Sequence, residues 1–150
     1  MTRDERLRRV VNWINLTTLL GLLVARAGGG EVKPGPGGLL VAGDYKLAVP
    51  QQQCFTIGNV VNSHRPADWL LDPERTELLG HESGHATQYA WTGVFFFPLY
   101  GLASAWSWLL TGGYGARNIF ERKAGLATGG YADRPLRPWA SRLGTFFGPR

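Results

Sequence analysis

Between Ala86 and Ala116 the chain carries no charged residue. So long an uncharged, aromatic-rich run is not a solvated loop; it has to be covered, by protein or by lipid. Its middle, Val94–Leu110 (VFFFPLYGLASAWSWLL), reads as a helix, either buried or in contact with a membrane, with Pro98 expected to kink or break it. Trp106 and Trp108 near one end suit interfacial anchors and suit core aromatics equally. A second apolar segment, Val10–Ala25 (VVNWINLTTLLGLLVA), also reads as a helix. It is shorter than the roughly 20 residues of a full membrane span and carries Asn12 and Asn15. Ala25-Arg26-Ala27 resembles a signal-cleavage site, but Asp4, Glu5 and the two asparagines oppose a secretory leader. An uncleaved membrane-associated or core helix is the expectation.

Between these segments the pattern changes. Gly28–Gly38 (GGGEVKPGPGG) reads as an irregular Gly/Pro connector. Leu39–Ala42 and Tyr45–Val49, separated by Gly43-Asp44, read as a hairpin, and Cys54–Asn62 as a third strand. Asp72-Pro73 offers a helix cap followed by proline at the first helical position. The helix that starts there would run through Leu78, Leu79, His81, His85 and Gln88. Asn118–Ala127 reads as a short helix capped by Asn118 and followed by Gly129-Gly130. These elements predict an α+β fold: a short antiparallel sheet, a helix bearing the histidines, a later helix bearing Glu121, and apolar N-terminal and central helices. One domain is expected over residues 1–133, with its N-terminal apolar helix at 10–25, and a basic, mobile tail over 134–150.

His81-Glu82-Ser83-Gly84-His85 (HESGH) holds two of the three histidines in the chain. On a helix, residues four apart sit about 40° apart around the axis and roughly 6 Å along it. One zinc ion can then take a nitrogen from each. Glu82, about 100° round the helix from His81, is placed to meet a water on the metal rather than to ligate it. That is the position of a general base in hydrolysis. A single helical histidine is more often structural or solvated; the pair with a glutamate inside it shifts the reading to metal. Gln88, one turn beyond His85, suits a hydrogen bond to a neighbouring group or substrate, and also suits a plain surface amide.

A two-histidine zinc site needs at least one further protein ligand. After His85 the chain has no histidine or cysteine and only two carboxylates, Glu121 and Asp133. Asp133 falls in the Gly/Pro-rich tail, a poor place to hold a ligand rigidly. Glu121 falls on a helix whose next turn carries the small residues Ala124 and Gly125, and it is the preferred third ligand. His64, upstream on the loop before the motif helix, is the competitor. The lone cysteine, Cys54, excludes an internal disulfide framework and reads as a buried thiol. The net charge of +5 owes much to arginines at the two ends, Arg3, Arg6, Arg8 and Arg9, then Arg134, Arg137, Arg142 and Arg150. Such clusters suit an anionic membrane surface or nucleic acid, and no nucleic-acid-binding motif accompanies them.

HESGHATQ followed by FERKAGLATGGY resembles the gluzincin group of zinc metallopeptidases, and more narrowly a set of small bacterial zincin-like proteins. These pair an HE-x-GH-x-x-Q helix with a later E-x-x-A helix. The resemblance covers about residues 54–131 and implies a small zincin-like domain. It makes His81, His85 and Glu121 the zinc ligands and Glu82 the general base, with a peptide or protein as substrate. In many gluzincins the residue after E-x-x-A is an aspartate that orients a ligand histidine; here it is Gly125. The expected function is a zinc-dependent metallopeptidase, at the membrane or in the cytoplasm. The alternatives are a non-catalytic zinc-stabilised binding module and a membrane-associated structural protein without metal. By the same resemblance the strand at Phe55–Val61 would offer an edge to an extended peptide.

Overall fold

The structure is a computed structural model that describes residues 1–48, 50 and 52–147, with side chains as far as Arg142. The helices are α1 (Arg3–Ile14), α2 (Thr17–Ala27), α3 (Ala67–Leu71), α4 (Thr76–Thr92), α5 (Phe96–Thr111), α6 (Ile119–Ala124) and α7 (Pro138–Phe147). The strands are β1 (Glu31–Pro34), β2 (Leu40–Gly43), β3 (Cys54–Ile57) and β4 (Val60–Ser63). The chain is thus mixed α+β, and it divides into two compact units, Met1–Phe96 and Phe97–Arg150.

In the first unit the strands form one sheet in the order β1-β2-β4-β3. Residues alternate faces along each strand, and the two faces bury different sets. Val41 and Val61 join Leu39, Cys54, Ala67, Leu70, Leu79 and Ala86 in the core shared with α3 and α4. Ala42 and Val60 face the other way, onto Ala25 and Leu22 of α2. The second layer is close because α2 presents Gly21 there: a Cβ at that position would come within 2.4 Å of the Ile57 carbonyl oxygen.

The sheet departs from the expected one in three ways. Its β2–β4 pair is parallel, so it is mixed rather than antiparallel. The expected partner of Leu39–Ala42 is not a strand: residues 45–48 are irregular, and Val49 lies outside the described residues. β2 instead pairs antiparallel with β1, which lies inside the expected Gly/Pro connector. Glu31, Val32 and Lys33 have just enough extended character for an outer strand, where Pro34 costs little at the end. Cys54–Asn62, expected as one strand, is a tight hairpin, β3 and β4 turning at Gly58-Asn59. Two residues of that type between β-branched runs are a hairpin signal that the continuous apolar pattern masked.

The N-terminal helix also differs. It starts at Arg3, where Thr2 and Glu5 form a reciprocal capping box. It stops at Ile14, and α2 leaves at 74° to it. The break sits at Leu16, whose φ of 65° is left-handed. Asn15 secures it, its side-chain oxygen accepting from the Thr17 N–H and hydroxyl. On α1 the inward residues are polar. Asn12 Nδ2 donates to the Ala86 carbonyl at 2.9 Å and to Asn59 Oδ1 at 3.0 Å. Arg8 donates to the Ser83 hydroxyl and, at 2.6 Å, to the Gly37 carbonyl. Asn12→Ala leaves two buried acceptors without their donor, so it is expected to cost about 2–4 kcal/mol of stability. Urea unfolding of the full chain measures it.

Asp72 and Pro73 open the motif helix as expected, Asp72 Oδ1 accepting from the Glu74 N–H at 2.8 Å before a short 3-10 turn passes into α4. Pro98 does not break the central segment. It sits in the first turn of α5, where a missing N–H costs little, and the break falls at Gly93 (φ 57°, ψ −139°). The helical residues from Pro73 to Thr111 contain an 18-residue window of mean hydropathy 1.3, of which 11% is buried. By length and composition such a run can cross a membrane, a test that core helices of soluble proteins also pass. In the second unit, α6 begins at Asn118 as expected but ends at Ala124 rather than Ala127. α7 lies within the segment expected as a tail.

Candidate metal centre

α4 carries the motif. Its inward face buries Leu79, Glu82, Ala86 and Tyr89 together with His81 and His85. One turn of helix stacks the two imidazoles edge to face, with ring centres 4.7 Å apart. Their Nε2 atoms approach to 3.1 Å. Two zinc–nitrogen bonds of about 2.0–2.1 Å at a near-tetrahedral angle place their nitrogens about 3.3 Å apart, so the pair is already spaced for one ion. His85 Nδ1 bonds to Gln88 Oε1 at 2.9 Å. An amide oxygen only accepts, so Nδ1 carries the ring proton and Nε2 presents its lone pair toward His81. Gln88 is therefore bonded to the motif histidine rather than a plain surface amide.

Glu82 turns toward the sheet. Cys54 and Thr56 are two apart on β3 and share a face. The Thr56 hydroxyl donates to Glu82 Oε2 at 2.6 Å and the Cys54 thiol to Oε1 at 3.3 Å. Burial, reinforced by the Glu82 carboxylate, pushes the Cys54 thiol far above its ordinary range, so it stays protonated and donates. Cys54 is thus a buried thiol, as expected, but one that touches the candidate base. The sequence offered no sign of this contact or of Thr56. His64 is occupied elsewhere: Nδ1 meets the Tyr45 carbonyl at 2.8 Å and Nε2 the Pro50 carbonyl at 2.9 Å. Both ring nitrogens thus face carbonyl oxygens of the surrounding loop, to one of which a neutral imidazole can donate.

In the second unit Asn118 caps α6, its Oδ1 accepting from the Phe120 N–H while Nδ2 holds Ser104 of α5. That cap orients the first turn, and Glu121 on it is buried. The Tyr100 hydroxyl donates to Glu121 Oε1 and lies 3.5 Å from the Tyr131 hydroxyl. Burial, with the Glu121 charge adding to it, raises the Tyr100 hydroxyl well above its ordinary range and keeps it a donor. Tyr100 went unrecognised in the sequence because one phenol in an aromatic-rich helix carries no pattern. Gly125 ends α6 with a φ of 110°, its N–H returning to the Glu121 carbonyl. The position where the resemblance expects aspartate is a helix terminus that favours glycine.

His81 and His85 of the first unit and Glu121 of the second are all buried residues of metal-ligand type. This His-His-Glu group could hold a metal ion. Comparison with protein-family models, with curated proteins and with solved structures gives no match. Fold and site together define a coarse class: an α+β protein with a buried group of metal-ligand type.

Proposed function

We propose that the protein is a zinc-dependent, gluzincin-like metallopeptidase, with His81, His85 and Glu121 as ligands and Glu82 as general base. The observation that carries this reading is the 3.1 Å approach of the two Nε2 atoms, with Gln88 accepting from His85 Nδ1 so that the Nε2 lone pair turns toward His81. Two imidazoles and one carboxylate match the donor set of catalytic rather than structural zinc, which leaves one position for water or substrate. Bound there, zinc supplies Lewis acidity, acidifying water and polarising a peptide carbonyl. The work of the chain is then proton transfer. The Cys54–Oε1 contact at 3.3 Å is long and the more readily displaced, so Oε1 takes the proton of the attacking water and delivers it to the leaving amine. Thr56 meanwhile holds Oε2 and fixes the carboxylate plane. β3 ends the sheet order, and an extended substrate would align along it.

One observation favours a second reading, a non-catalytic metal-stabilised module. Both Glu82 oxygens are engaged within the fold, as those of a structural carboxylate would be. Purified full-length chain incubated with a mixed peptide library separates the two. The peptidase reading expects hydrolysis that o-phenanthroline stops and stoichiometric zinc restores. One zinc per chain without cleavage of any library member supports the module; less than about 0.1 zinc per chain, against one for a single closed site, rejects both.

A further inference from the structure

The polarity of α1 and α2 is inverted. A surface helix of a water-soluble protein turns its apolar stripe inward. On α1 the inward residues are Arg8 and Asn12, 6% and 0% exposed, while Leu7, Val10 and Ile14 are 63%, 53% and 75% exposed. On α2 the buried residues are Thr17, Thr18, Gly21 and Ala25, and Leu19 and Leu23 face outward. Small and polar residues inside with large aliphatic residues outside is the arrangement of helices whose outer medium is lipid. Neither helix can span that medium. With 12 and 11 residues they are about 18 and 16 Å long, against a hydrocarbon thickness of about 30 Å, and the 74° bend keeps them from adding end to end.

Charge identifies the lipid surface. Arg6 and Arg9 border the same shallow depression as Val10, Trp13 and Ile14, and Arg3 is exposed on the turn before Leu7. The acidic residues of α1 only partly offset them: Asp4 and Glu5 stand against Arg3, Arg6, Arg8 and Arg9, two negative charges against four positive. An aliphatic face bordered by arginines, with a tryptophan beside them, matches a bilayer whose headgroups are anionic.

We propose that the outward faces of α1 and α2 dock on an anionic bilayer surface, with Leu7, Val10 and Ile14 among the acyl chains and Arg3, Arg6 and Arg9 at the headgroups. The proposal is independent of the metal centre. Its test is flotation of the full chain, diluted from mild detergent, with vesicles of phosphatidylcholine and phosphatidylglycerol (3:1) or phosphatidylcholine alone. Binding should be at least about tenfold stronger to the anionic vesicles. Replacing Arg3, Arg6 and Arg9 by glutamine should weaken binding to them on the order of 100-fold and leave phosphatidylcholine binding unchanged. The double variant Leu7→Asp/Ile14→Asp should lose vesicle binding while keeping the thermal midpoint, because neither side chain belongs to the core. Equal binding to both vesicle types, or anionic binding unchanged in the arginine variant, overturns the proposal. So does a lipid-free dimer, seen by light scattering, that the double variant dissociates, because the face would then belong to a second copy of the chain. If the double variant fails to fold, the arginine variant alone decides.

Discussion

Glu82→Gln is expected to reduce peptide hydrolysis by about 100- to 10,000-fold, the contribution of a positioned general base, while zinc content stays at one per chain. The amide is nearly isosteric, so its oxygen can still accept from Thr56 at the place of Oε2. Its NH2 group would face the Cys54 sulfur, a weak acceptor, where the carboxylate accepted the thiol. Loss of that contact should cost only roughly 1 kcal/mol of stability and so lower the thermal midpoint modestly. The substitution therefore separates chemistry from folding. Steady-state hydrolysis, zinc analysis and a melting curve on the same preparation distinguish a lost base from a lost fold. Unchanged turnover with zinc retained would remove Glu82 from the reaction.

His85→Ala is expected to weaken zinc binding by about 100- to 1,000-fold, as the loss of one ligand from a site of ordinary zinc affinity implies. A graded series around it tests the whole donor set. Gln88→Ala, which releases His85 Nδ1, should cost about 10- to 100-fold, the usual effect of a group that orients a ligand. Glu121→Ala should approach the effect of His85→Ala. His64→Ala should leave affinity unchanged, because both its ring nitrogens face carbonyls. Competition with a chromophoric chelator measures all four. Intact affinity in Glu121→Ala combined with lost affinity in His64→Ala would reverse the ligand assignment.

What was legible in the sequence was what is encoded locally. The cap at Asp72-Pro73, the 3.6-residue spacing that turns His81 and His85 to one side, and the Asn118 cap before Glu121 each act within a turn of helix, and each is present. The sheet was less legible because pairing is a property of distant segments. Nothing within Glu31–Pro34 reveals that β2 will accept it, nor does β2 announce a parallel neighbour in β4. The N-terminal break was missed for a different reason. Asn12 and Asn15 were read as flaws in an apolar helix, whereas one bonds the α4 backbone and the other stabilises a left-handed Leu16. Likewise Gly125 was read as a missing aspartate, and its φ of 110° makes it a helix stop. The residue that bonds a histidine of the pair is instead Gln88, on the same helix.

The bonds from Arg8 and Asn12 to α4 join residues 75 and 74 positions apart. During synthesis neither can form until the chain has emerged beyond Ala86. For that interval α1 has its own capping box to keep it helical and, for its inward side chains, only the nearer partners Gly37 and Asn59. α1 is therefore joined to the motif helix long after it is made, and its full anchoring waits on residues more than 70 positions downstream.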